Sequence, residues 1–128
     1  MSIAQRDREA MDLVAARRFD DAYLVSSDLE MQARRLTLRA YGALHPADTT
    51  TYLATLTFFG ASALGIENEA GVFPESVQLS SLALTYDDAD DEGSAELRGR
   101  QAWALAWNFD GLAYEEHPAV LASLADDL

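Results

Sequence analysis

The chain contains no cysteine and no lysine. Without cysteine there is no disulfide framework, no thiolate metal site and no thiol nucleophile. All nine basic residues are arginine, so Schiff-base chemistry and the phosphate-cradling lysine of a nucleotide loop are excluded as well. Proline is scarce, at three residues, and the seven glycines follow no repeat, which sets aside collagenous and low-complexity architectures. Long apolar runs are missing too. The longest stretch without a charge, Thr49 to Ile66, holds five threonines, a serine and two glycines and does not read as a membrane span. Met1 to Arg18 is polar and of mixed charge, without the apolar centre of a targeting segment. A cytoplasmic protein is expected.

Positive charge is the scarcest commodity of all. Twenty-two acids against nine arginines give a formal charge of -13. The excess is uneven: residues 1–39 carry seven charges of each sign, residues 40–97 carry ten acids and no arginine, and residues 98–128 carry five acids and two arginines. Phosphate backbones and anionic lipid surfaces bind through clustered Lys and Arg, so nucleic acid and membrane are not expected as partners. An acidic surface steers toward a basic protein; it also serves plain solubility or adaptation to salt.

What is present is 128 residues of 14.0 kDa, 49% apolar and 24% charged, enough for a single domain over 1–128 with a core of its own. Ser2 to about Arg18 reads as an amphipathic helix, with Ile3, Ala10, Met11 and Val14 at helical spacing. From Asp20 the period becomes two. Ala22 to Ser27 reads as a short strand, Ser27 to Leu29 as a polar turn, and Gln32 to Leu44 as a half-buried strand with Leu36, Leu38, Ala40 and Leu44 on one face. Thr49 to Ala61 is a strand with apolar residues on both faces, and Gly65 to Glu75 a loop. Val77 to Tyr86 is a strand whose apolar phase shifts at Ser80 and Ser81, the mark of a bulge. Ala95 to Phe109 reads as one long core strand with Leu97, Trp103, Leu105, Trp107 and Phe109 on one face. Asp110 and Gly111 form a type I′ turn signature, after which Leu112 to Glu115 returns as a short edge strand. Pro118 opens a short C-terminal helix through Val120, Leu121 and Leu124.

Candidate sites are few. Asp88, Asp90, Glu92 and Gly93 imitate the opening of an EF-hand loop, yet the position of the closing bidentate glutamate falls on Gly99, so the run reads as a solvated hairpin tip and no metal site is expected. His45 and His117 both precede proline and read as punctuation. The carboxylate pairs Glu67 and Glu69, Glu115 and Glu116, and Asp126 and Asp127 have no spacing that selects one as an acid and base pair, and no catalytic residue is assigned. Trp103 and Trp107 are the candidate ligand-binding residues, as the lining of an apolar pocket; core packing is the rival role. Among the arginines near them in pattern, Arg34 included, Arg35, Arg39, Arg98 and Arg100 are the candidate partner-binding residues, because they occupy the polar faces of two strands and form a basic stripe if those strands are neighbours. No motif calls for a cofactor.

The expected fold is α+β: one curved antiparallel sheet of five or six strands, the N-terminal helix packed on it and a short helix at the C-terminus. A mainly-β two-sheet sandwich is the alternative. The expected function is a non-enzymatic protein-binding module whose partner is another protein or a second copy of the chain. The alternative is a small-molecule-binding protein or an enzyme with a Trp-lined pocket and Asp or Glu as acid and base.

Overall fold

A computed structural model describes residues 5–68, 78–87, 92–99 and 103–119. Residues 5–15 form the helix α1 (Gln5–Ala15), in which Ala10 and Val14 are buried and Met11 partly so, while Arg8, Glu9 and Asp12 are exposed. The rest is strand. β1 (Tyr23–Glu30), β2 (Arg35–Gly42), β3 (Tyr52–Phe59) and β8 (Gly111–Pro118) form one antiparallel sheet in the order β1-β2-β3-β8. β4 (Ser62–Asn68), β5 (Leu79–Asp87), β6 (Glu92–Gly99) and β7 (Trp103–Phe109) form a second, in the order β4-β7-β6-β5.

This overturns the expected α+β fold with a single curved sheet and matches the two-sheet alternative. The physical reason lies in the area to be covered. Leu36, Leu38, Ala40, Ala54, Leu56, Phe58 and Leu112 make the first sheet apolar on one face, far more than the buried stripe of one eleven-residue helix covers. The inner face of the second sheet, with Ala95, Leu97, Trp107 and Phe109 buried, does the covering instead.

The chain changes sheets at two adjacent corners. β3 passes into β4 through Gly60 and Ala61, and β7 passes into β8 through Asp110, whose N–H donates to the Phe59 carbonyl at 2.7 Å. Gly60 has a φ of 65°, and a Cβ there would lie 2.1 Å from the Asp110 carboxylate. Glycine suits this corner, since a side chain there would be strained and would push the Asp110 carboxylate aside. Asp110 and Gly111 therefore do not return the chain along β7, as the turn signature suggested; β8 pairs with β3 from Gly111 to Pro118. The two sheets are also joined at the start of β1, where the Leu79 N–H donates to the Ala22 carbonyl and the Asp21 N–H to the Leu79 carbonyl.

Other boundaries move for identifiable reasons. The expected strand Ala95 to Phe109 is a hairpin, β6 and β7, with Leu97 opposite Leu105. Ser27 to Leu29 continues β1, because Leu29 sits opposite Leu36 on the inner face. Gly65 to Asn68, expected in a loop, is the paired end of β4. The bulge in β5 falls between Leu79 and Ser81, where the phase shift placed it. Pro118 ends a strand instead of opening a helix; residues 120–128, the rest of that expected helix, lie outside the described residues, as do residues 88–91 of the acidic run. That run falls between paired strand ends, Asp87 opposite Glu92.

Candidate functional site

Trp103 and Trp107 both lie on β7 and are buried, whereas Leu105 between them is only partly so. Trp103 packs over Gly99, where a Cβ would overlap the indole ring. Trp107 meets Phe58 of the opposite sheet. The arginines are dispersed: Arg35 and Arg39 stand on β2 of the first sheet and Arg98 on β6 of the second, so no pair of neighbouring strands joins them, and Arg100 lies outside the described residues. Arg35 is ion-paired with Glu30 and Arg98 with Glu96, on exposed surface, where such pairs contribute little. Arg39 is placed opposite Ser26 on one side and Thr55 on the other.

A cluster that the sequence reading did not assemble centres on Glu116. Strand alternation puts Leu112, Tyr114 and Glu116 on the face of β8 that looks inward and leaves Glu115 outside. Arg17, just past the end of α1, donates to the carboxylate from Nε at 3.0 Å and from Nη2 at 2.8 Å. The Tyr114 hydroxyl donates at 2.7 Å, and His45 Nε2 lies 2.8 Å from Oε1. The His45 ring packs against Tyr52, centroids 4.5 Å apart, and Tyr52 donates to Asp48.

The electrostatics follow from this geometry. Hydrogen bonding from Arg17 outweighs the cost of burial and, with Tyr114 and His45, holds the Glu116 carboxyl down to about 2. Burial, reinforced by the bond to Glu116, pushes the Tyr114 phenol upward. Glu116 is thus an anion near neutrality with both oxygens engaged, and a poor proton acceptor there. Its work is mechanical: it fastens the end of α1 and the turn after β2 to β8. Sequence parity carried a signal for it, since a carboxylate at the inward position after Leu112 and Tyr114 needs a buried partner. Its partners at positions 17 and 45 leave no local trace.

A second feature lies at the other end of β3. The β1–β2 turn docks on the first corner, with the Ala61 N–H donating to the Arg34 carbonyl at 2.7 Å and the Arg34 guanidinium reaching the Gly60 and Ala61 carbonyls at 3.4 Å. Between this turn and the start of β4 is a groove of about 180 Å3 lined by Leu29, Met31, Leu36, Leu64 and Trp107, with Arg34 at its side. Met31 is 80% exposed, Leu29 and Leu64 are exposed, and Ile66 further along β4 is 72% exposed. β4 is an edge strand, unpaired on its outer side among the described residues. β8, one of the two edges of the other sheet, is instead packed against α1.

Among the described residues no group of His, Asp and Glu is placed to hold a metal ion, and no helix is long and apolar enough to cross a membrane. Compared with protein-family models, with curated proteins and with solved structures, the chain matches none.

Proposed function

We propose that the chain is a non-enzymatic protein-binding module of the cytoplasm, and that it binds along β4 and the groove beside it. The supporting observation is the exposure of Leu29, Met31 and Leu64 around the groove, and of Ile66 further along a strand edge that is unpaired among the described residues. Isolated apolar residues on a surface are ordinary, but a cluster around a groove marks a place where something docks. An open edge adds main-chain donors and acceptors that a partner strand satisfies. Glu116, whose carboxyl is held down to about 2, is consumed in holding the fold together, which favours binding over acid and base chemistry.

The test is site-specific photocrosslinking in cytosol of the source cell. A photoreactive residue at Ile66 or Leu64 should give a discrete protein adduct, and the same residue at Thr55, on the outer face of the first sheet, should not. Equal labelling at all three positions, or none, rejects the proposal.

A further inference from the structure

Resting on that reading, we infer that the groove and the β4 edge together receive the C-terminus of a partner protein: an extended segment with a free carboxylate, a bulky apolar last residue and basic residues ahead of it. Three observations converge on this occupant.

The first is size. At about 180 Å3 the groove is smaller than the roughly 300–1,000 Å3 of small-molecule pockets. It has room for one large apolar side chain. The second is charge. Arg34 is exposed at the side of this apolar groove; its Nε and Nη2 reach the Ala61 and Gly60 carbonyls only at 3.4 Å, and it has no acidic partner among the described residues, in a protein with few cations to spare. An arginine fork suits a carboxylate.

The third is direction. A strand added antiparallel to β4 runs from the Asn68 end toward the Ser62 end, so its final residue arrives beside Arg34. β4 is regular from Gly65 to Asn68 and bulged between Ser62 and Gly65, with Ala63 at a φ of 53°. The ladder therefore stops where the groove begins, and a chain terminus needs no ladder beyond that point. Ile66, on the face of Leu105, is left for the alternate side chains of the added strand.

Basic residues ahead of the terminus follow from composition. β4 and its neighbour β7 contain Glu67 and no basic residue, in a chain of net charge -13, so a segment lying along this sheet edge is favoured when it is cationic.

The experiment selects binders from two libraries of short random peptides, one with free C-termini and one amidated. Selection from the free library should enrich Leu, Ile or Phe at the last position with Arg or Lys upstream. Amidating the winners, or changing Arg34→Asn, which suits the left-handed backbone at φ 52°, should weaken binding about tenfold or more. Arg34→Lys should restore part of it, and thermal unfolding should show both variants folded. Enrichment from the amidated library alone, or equal affinity after amidation at the β4 edge, overturns this inference and leaves the binding module standing. Failure of both libraries to yield any binder counts against both readings.

Discussion

The ring of Phe58 meets the indole of Trp107 edge-on, with centroids 5.0 Å apart and planes at 80°. Phe109, two residues further along β7, also meets the Phe58 ring, with centroids 5.1 Å apart. These are contacts between the two sheets, so their loss is felt by both. Trp107→Ala and Phe58→Ala are each expected to cost about 3–5 kcal/mol. The double variant should cost less than the sum, because the second truncation enlarges an existing cavity. Chemical denaturation of the four proteins in this cycle measures it.

Glu116 sets an acid limit. Its carboxyl titrates near 2 in the folded protein against 4.5 when free. Above 4.5 it is ionised in both states and the Arg17 and His45 contacts stabilise the fold in full. As pH falls from about 4.5 toward about 2 the unfolded chain takes up the proton first, and that stability is lost; below both values it is gone. Glu116→Gln should destabilise by about 2–4 kcal/mol at neutral pH, with the gap to the parent closing across this window. Melting curves from pH 7 to pH 2 show whether the gap closes there.

Gly99 makes room for Trp103. Placing a Cβ at Gly99 puts it inside van der Waals distance of the indole, and the ring, buried as it is, must move. Gly99→Ala is expected to cost about 1–3 kcal/mol and to shift the tryptophan fluorescence. Unaltered emission and unaltered stability would show that the ring does not sit there.

The net charge of -13 stores repulsion, and the β5–β6 hairpin brings Asp87 opposite Glu92. Ions screen such repulsion over about 10 Å at 0.1 M. The melting temperature should rise as sodium chloride goes from low concentration to about 1 M. A flat or falling series contradicts this.

Much of the strand content was legible because alternation is local. Leu36, Leu38 and Ala40 read inward and are buried, and the bulge beside Ser81 announced itself as a phase shift. The division into sheets was not legible, and the reason is parity. In the β6–β7 hairpin Leu97 faces Leu105, so odd positions point inward before and after the turn, as they would along one unbroken strand. Leu53 is buried on the face opposite Ala54, which made β3 look two-sided without saying what lay on either side. The Glu116 cluster was hidden for another reason: Arg17, His45 and Glu116 are far apart in sequence, and the two histidine–proline pairs looked alike although only His45 meets the carboxylate among the described residues.

The pairing of β3 with β8 has a consequence for how the protein is made. Phe59 finds its partner Gly111 only some fifty residues later in the chain, and β4 likewise waits for β7. A nascent chain that has emerged as far as β3 can close the β1–β2–β3 meander but holds it with one raw margin until translation delivers residues 111–118. Such non-local closure is slow, in the range of milliseconds to seconds for β topologies, and the waiting meander is the species most exposed to mispairing with its neighbours on other ribosomes.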